Sequence, residues 1–389
     1  MKKRERFSLI ITFVIILLLV ISFPATRQAI GAELNLGYAG AVVGGHLGDY
    51  GQGNKQGIEL AVKRYNEKGG YKGQKANLII YDTEGKPPKA VENITRLITR
   101  DKCFALLGAT ASGETLAIID IAQENEVPLI VPASTAAEVT QRHINKPKIY
   151  IYRVSLIDTY QISLILDYIQ AKGFKKLALL NSTSGWGEMA REDTLKQLAA
   201  RNLKLAVPPE RCNDTDTDMT SQLSKFKAVD ADFLLAMVYS PGAVQIVKSM
   251  QKINFKLPMA STWGLIAPNY LALGGKEIVE GTITVASFAP DANDKAKAFH
   301  QMVVKEYGKD FFPVCTAQGY DATNLILRAL DKVGPDPKKI RDAIESLDDF
   351  EGVTSIPKKP FGPKNHESYG PKDGYLVIWR DGVPVRLQY

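Results

Sequence analysis

Cysteine and histidine are scarce in this sequence of 389 residues. Its three cysteines and four histidines are spread along the chain at Cys103, Cys212, Cys315, His46, His143, His300 and His366. An odd number of widely spaced cysteines does not make a disulfide framework, and neither residue type shows the close spacing of metal ligands. The sequence therefore predicts no metal site, and we expect no cofactor.

Nucleotide and nucleophile motifs are missing as well. The chain contains no G-x-x-x-x-G-K-[S/T] loop and no G-x-S-x-G turn. Gly51, Gly53 and Gly57 come near to a dinucleotide fingerprint, but the third glycine is one residue late. Residues 39–50 also place a loop where the fingerprint needs a tight turn. We interpret these glycines as structural, which disfavours an oxidoreductase, and we name no catalytic residue.

Positive charge is concentrated at the amino terminus. The formal net charge is +7, and residues 1–31, with five basic residues against one acidic residue, carry +4 of it. The basic start precedes an uncharged, mostly aliphatic run at residues 7–23, and small residues follow at Ala29, Gly31 and Ala32. This order predicts a signal peptide at residues 1–31 and a periplasmic protein, with an uncleaved membrane anchor as the alternative. The charge that remains is too small to indicate nucleic-acid binding.

From Glu33 onward, short apolar runs alternate with stretches that are apolar on one side. The runs predict strands at residues 35–39, 77–81, 105–107, 129–131, 176–180, 232–236, 282–286 and 375–380. The stretches predict helices at residues 57–66, 89–100, 115–124, 188–201, 243–253, 295–307 and 317–333. Such alternation is typical of βαβ units with parallel sheets covered on both faces. The length of the chain and the restart of the pattern near residue 176 predict an α/β protein with two doubly wound lobes.

Two loops that follow strands carry hydroxyl groups. Residues 107–114 lead from a strand into a helix and place Ser112 near the helix N-terminus, and Ser134 and Thr135 follow the next strand. Ligands of doubly wound sheets bind outside the carboxyl ends of strands, where helix N-termini favour anions. The two loops therefore predict a carboxylate-binding site. The alternative is that Ser112 caps its helix and Thr135 completes a turn.

The order of several motifs resembles the leucine/isoleucine/valine-binding protein family, the periplasmic substrate-binding proteins of ABC transporters. The motifs that carry the resemblance are Tyr50-Gly51, residues 57–66, residues 69–73, Tyr81-Asp82, Leu107-Gly108 with Ser112, residues 127–130, residues 132–135 and Tyr152-Arg153. Looser matches follow at Trp186-Gly187, Tyr239 and residues 317–322. The resemblance thus covers nearly all of the chain after the predicted signal peptide.

The resemblance implies a type I periplasmic-binding fold with two Rossmann-like lobes, three crossings between them and a ligand cleft. We expect the first lobe at residues 32–153 and 288–352, and the second at residues 154–287 and 353–389. The crossings are then expected near residues 153–158, 286–290 and 352–361.

The resemblance also implies which residues bind the ligand. Ser112, Ala133 and Thr135 match positions that hold the carboxylate and part of the amine in amino-acid binders, and Tyr50 matches an aromatic residue that covers the ligand. Tyr239 lies near the tyrosine position of the second lobe. The complete predicted set is Tyr50, Ser112, Ala133, Ser134, Thr135, Trp186, Tyr239 and Trp263.

Two tryptophans depart from the family pattern. Amino-acid binders usually carry a tyrosine where this chain has Trp186, and a glutamate that pairs with the ligand's ammonium where it has Trp263. Because a buried ammonium needs a paired carboxylate, this loss favours a small organic acid, including an aromatic one, or a large apolar amino acid. Tryptophan can also face a cation, and either tryptophan could instead pack inside the second lobe.

The implied function is that of a solute-binding protein without catalysis, which captures an amino acid or organic acid by lobe closure. Its implied partners are this small molecule and the permease subunits of an ABC transporter, and we expect a monomer. Two alternatives stay open, a ligand sensor that serves a receptor and, less favoured, a nucleotide-dependent oxidoreductase.

Overall fold

The computed structural model describes residues 33–43, 45 and 47–389. The predicted signal peptide at residues 1–31 lies outside these residues, as does His46. In the described part of the chain, no helix combines the length and the apolar character needed to cross a membrane.

The first sheet contains five parallel strands in the order β2-β1-β3-β4-β5. These are β1 (Leu34–Gly40), β2 (Ala76–Asp82), β3 (Ala105–Gly108), β4 (Leu129–Val131) and β5 (Ile151–Arg153). The helices between them are α1 (Gly48–Glu67), α2 (Pro87–Thr99), α3 (Ser112–Glu124) and α4 (Glu138–Gln141). Strands β1, β3, β4 and β5 are buried along their whole length, as expected where helices cover both faces of a parallel sheet.

The second sheet contains seven strands in the order β12-β11-β10-β9-β8-β6-β7. These are β6 (Leu177–Ser182), β7 (Glu210–Cys212), β8 (Phe233–Met237), β9 (Met259–Ala260), β10 (Ile283–Ala286), β11 (Tyr375–Arg380) and β12 (Val383–Arg386). Its helices are α5 (Asp158–Lys172), α6 (Gly185–Ala200), α7 (Thr220–Ala228), α8 (Ser240–Lys252) and α9 (Pro268–Val279). Strands β11 and β12 are antiparallel and close the sheet as a hairpin.

The chain returns to the first lobe after β10 and forms α10 (Asp294–Tyr307), α11 (Pro313–Val333) and α12 (Pro337–Ser346). Helix α11 packs lengthwise against α1. Several helix ends follow local sequence rules: Asn293 and Asp336 cap α10 and α12 with their side chains, and Gly173 ends α5 in the left-handed conformation.

The predicted helix start at residue 57 is wrong, because helix α1 begins nine residues earlier and includes Gly51 and Gly53. The reason is tertiary packing. A Cβ atom on Gly51 would lie 1.7 Å from the backbone oxygen of Ala41, and one on Gly57 would lie 1.9 Å from that of Thr316 in α11. These glycines therefore allow backbones to approach closely, which agrees with their structural interpretation.

The third crossing between the lobes comes after a long segment that is hydrogen-bonded to the first lobe. Arg153 at the end of β5 exchanges backbone hydrogen bonds with His366 and Ser368. Its guanidinium, fully buried, also pairs with Glu367, with Nε 2.8 Å from Oε2. We therefore propose that the third crossing lies at residues 369–374, later than the expected 352–361. The lobe boundaries themselves stay predictions.

Candidate functional site

All eight residues predicted to bind ligand line one cavity between the two lobes. Tyr50, Ser112 and the segment Ala133–Ser134–Thr135 come from the first lobe. Trp186, Tyr239 and Trp263 come from the second lobe. The structure thus brings the predicted set together, while their role in binding stays a prediction.

Five further residues complete the lining, and the predicted set did not include them: Leu47, Thr110, Ala111, Thr262 and Gly264. Among the described residues of the lining, none carries a charged side chain. The cavity volume is about 30 Å³, which is room for one or two water molecules, whereas ligand pockets usually measure about 300–1,000 Å³. At this spacing of the lobes, an amino acid or an aromatic acid fits only if the lobes separate or the side chains move.

Four helices begin at this cavity. Tyr50 lies in the first turn of α1, Ser112 is the first residue of α3, Trp186 is the second residue of α6, and Tyr239 is the N-cap of α8. The N-terminal ends of helices carry free amide donors and a partial positive charge. Because they converge from both lobes on an uncharged lining, the cavity favours an anionic group over a cationic one.

Ser112 is held with its oxygen facing the second hydroxyl-bearing loop. The Ser134 hydroxyl donates to Ser112 Oγ over 3.0 Å, and the Ala136 amide donates to the same atom over 3.3 Å. A hydroxyl that accepts two hydrogen bonds still has its own proton to donate. Ser112 is therefore arranged to donate to an anion, and capping of α3 does not account for it, because Ala111 occupies the N-cap.

Aromatic rings form the remaining walls. The rings of Trp186 and Tyr239 lie 4.9 Å apart on the second lobe. Trp263 stacks on Phe312 of the first lobe at 5.4 Å and meets Tyr50 edge-on at 5.4 Å. Both tryptophans thus face the cleft and do not pack in the interior of the second lobe. Phe312 was missed because it precedes α11, far from the motifs that carry the resemblance.

Asp158, which lies behind the lining, is also absent from the predicted set. Its carboxylate is 1% exposed and accepts a hydrogen bond from Trp186 Nε1 over 3.0 Å, while its amide donates to the Thr135 carbonyl. Burial raises the pKa of Asp158 to about 6, against the lowering effect of the Thr135 hydroxyl and of Trp186. It therefore places a carboxylate directly behind two residues of the lining. The available signal was an acidic residue at the first position of a helix that follows a lobe crossing.

The described residues give no indication of a metal centre or a reactive thiol at this site. In the described ranges, no group of three or more His, Cys, Asp or Glu side chains could hold a metal ion. The three cysteines are free and buried. Burial raises the pKa of Cys103 and Cys212 to about 12, which makes both unreactive at neutral pH.

The chain is similar to known proteins in sequence and in fold. A family model described as "Periplasmic binding protein" matches residues 34–382. A leucine-, isoleucine-, valine-, threonine- and alanine-binding protein of Pseudomonas aeruginosa is 24% identical over 315 residues, which are 80% of this chain and 82% of that protein.

Solved structures show the same architecture. A leucine-binding protein of Thermotoga maritima matches with a TM-score of 0.79 at 24% identity, over 91% of this chain and 98% of that one. A solute-binding protein of an ABC transporter from R. palustris, solved in complex with benzoate, matches with a TM-score of 0.76 at 25% identity, over 91% and 95% of the two chains. The predicted fold of two lobes with parallel-rich sheets is confirmed.

Proposed function

The chain belongs to the periplasmic binding protein family, and on that premise we propose that it binds a small carboxylic acid between its lobes for an ABC importer. In this proposal it is exported, acts in the periplasm as a monomer, and delivers its solute to permease subunits. The protein is a binding protein of the leucine/isoleucine/valine-binding type and not an enzyme, as its sequence predicted.

The observation that carries the proposal is the convergence of four helix N-termini and two hydroxyl-bearing loops on an uncharged aromatic cavity. A carboxylate placed between Ser112 and Thr135 would accept hydrogen bonds from the Ser112 hydroxyl and from first-turn amides of α3. The aromatic walls of Trp186, Tyr239 and Trp263 would enclose an apolar body. Closure around the solute would then select the state in which both lobes contribute contacts.

The lining favours an organic acid, including an aromatic one, over an amino acid. An α-ammonium needs a carboxylate partner when it leaves water, and Trp263 stands where such binders usually carry glutamate. Asp158 is a candidate replacement, since it contacts both Thr135 and Trp186, but its Oδ2 already accepts a hydrogen bond from the indole. Among the relatives, both preferences occur: one is named for leucine and others, and another was solved with benzoate.

Calorimetry with benzoate, phenylacetate, L-leucine and L-valine tests this proposal. We expect binding of at least one aromatic acid, with the branched-chain amino acids weak or inert. Binding of leucine alone would overturn the preference for an organic acid. No binding by any of the four acids would overturn the proposal that the solute is a small carboxylic acid.

The Asp158→Asn variant separates the two ligand classes further. It removes a negative charge behind the carboxylate site, so affinity for benzoate should stay equal or rise. If the solute carries an ammonium that Asp158 neutralises, the same change should weaken binding by roughly tenfold or more.

A further inference from the structure

Helix α9 of the second lobe begins without a capping side chain of its own. Ala267 occupies the N-cap, and Pro268 at the first helical position has no amide hydrogen. The Tyr270 amide bonds to the Ala267 carbonyl. The Asn269 amide is thus the first-turn donor that a cap would satisfy, and its own lobe offers no N-cap side chain to do so.

The partner of this amide comes from the other lobe. Asp49, in the first turn of α1, accepts the hydrogen bond from the Asn269 amide at Oδ2 over 3.1 Å. Burial raises the pKa of Asp49, while the Asn269 amide and Lys309 oppose this rise. A carboxylate of the first lobe therefore performs the function that an N-cap residue performs in an ordinary helix.

The next residue along α1 contacts the same segment. The Tyr50 hydroxyl donates to the Gly264 carbonyl over 3.0 Å. Both bonds end on backbone groups of residues 264–269, so neither depends on the identity of a side chain in the second lobe. Both can exist only while the lobes are together, because they join elements of different sheets.

We propose that Asp49 is a closure latch, a positioning residue that caps α9 only in the closed arrangement and so lengthens the time that the lobes stay together. Asp49 does not line the cavity, so it acts on closure and not on the solute. Opening the lobes returns the Asn269 amide and the carboxylate to water. The latch thus adds a fixed contribution to closure that is independent of which solute is bound.

A disulfide trap measures closure without a ligand. Gly113 and Gly185 meet across the cleft: a Cβ atom on Gly185 would lie 3.0 Å from the Cα atom of Gly113. Two side chains do not fit at this separation, so cysteines at these two positions are oxidised as the lobes approach closure, and the three native thiols are buried. The rate of cross-linking therefore reports the fraction of time that the lobes spend close together, and the crowding and strain of the bond are common to all variants.

In the protein with cysteines at positions 113 and 185, Asp49→Ala should slow cross-linking by roughly fivefold, because one hydrogen bond to a partly exposed carboxylate is lost. Asp49→Asn keeps an acceptor without the charge and should fall in between. Glu59→Ala is the matched control, because Glu59 lies on the same helix and pairs with Lys55 of that helix. An unchanged trapping rate in Asp49→Ala would overturn the latch.

Ala267→Ser separates closure from helix stability. A serine at the N-cap would accept the hydrogen bond of the Asn269 amide within the second lobe, so it should stabilise α9. Because Asn269 would then no longer need Asp49, cross-linking should slow as it does in Asp49→Ala. If adding Ala267→Ser to the Asp49→Ala variant restored the rate of cross-linking, Asp49 would act only by stabilising α9, and the latch proposal would be wrong. These readouts need no solute, so a failure of the proposed function in calorimetry stays distinguishable from a failure of the latch.

Discussion

Ser112 is the side chain on which carboxylate binding should depend most. Its Oγ accepts hydrogen bonds from the Ser134 hydroxyl and the Ala136 amide, so its own proton is left to donate to a solute. Ser112→Ala removes a donor to a charged group in a closed site, and we expect affinity for the panel acid that binds to fall by roughly 10- to 100-fold.

Calorimetry measures this loss, with Thr99→Ala as a control. Thr99 is exposed on α2 and bonds only to the backbone of its own helix, so its removal should leave affinity unchanged. Equal affinities of Ser112→Ala and the parent protein would show that the carboxylate binds elsewhere.

Asp158 should give the protein a pH-dependent stability. Its pKa of about 6 lies above the ordinary value of 3.8, so the folded state holds the proton more tightly than the unfolded chain. The buried charge lowers stability above pH 6, and this penalty disappears as the pH falls below about 4. The free energy of unfolding of Asp158→Asn relative to the parent should therefore change by roughly 2–3 kcal/mol between pH 7.5 and pH 4, in favour of the variant at pH 7.5.

Urea unfolding at the two pH values measures the difference. Asp230→Asn serves as control, because Asp230 has a side-chain exposure of 88% and should show almost no change. A difference for Asp158→Asn that does not depend on pH would mean that its carboxyl titrates alike in both states.

The sequence predicted the individual site residues unevenly. Ser112 and Thr135 follow from strand ends and hydroxyl groups, and the resemblance supplied Tyr50 and the tryptophans. The place of Phe312 depends on how distant segments meet, and no spacing in the sequence connects it to the cleft. For Asp158 the sequence offers only its position at the start of the helix after a lobe crossing.

Helix α1 shows how tertiary packing overrides local preference. Its first ten residues contain Gly48, Gly51, Gly53 and Gly57, a composition that disfavours a helix. The prediction consequently started the helix at residue 57. Contact with α11 reverses the preference, since only glycine lets the two backbones meet at Gly57. Most strands were placed correctly because their burial on both faces leaves continuous apolar runs that need no knowledge of partners.

Two glycines of α1 allow a matched test of this packing. Gly57→Ala puts a Cβ atom 1.9 Å from the Thr316 carbonyl oxygen and should lower the free energy of unfolding by about 3 kcal/mol. Gly48→Ala in the same helix meets no atom within 4 Å and should raise it by up to about 1 kcal/mol. Chemical unfolding measures both changes, and similar values for the two variants would contradict close packing of α1 on α11.

The arrangement of the lobes could be predicted in outline only. The alternation of strands and helices indicates two doubly wound units, but the return of the chain at α10–α12 came from the resemblance. The third crossing was expected at residues 352–361, while Asp321 of α11 accepts hydrogen bonds from the amides of Val353 and Thr354. Those contacts attach this segment to the first lobe, and the apolar pattern of the sequence contains no sign of them.

The cavity volume and the contacts across the cleft together predict a measurable opening. A space of about 30 Å³ does not admit a carboxylic acid of several carbon atoms, so we expect the solute to enter while the lobes are apart. The bonds from Asp49 and Tyr50 to the second lobe are then broken, and the open form should have the larger radius of gyration in solution. Saturation with the panel acid that binds should reduce this radius, because solute contacts in both lobes favour closure.

Small-angle scattering measures the change, with Ser112→Ala at the same acid concentration as the control that should compact less. If calorimetry showed binding while the radius stayed constant, capture would not involve lobe closure. In that case the volume for the solute would have to come from displacement of Trp263 from its stack on Phe312, which a change in tryptophan fluorescence would report.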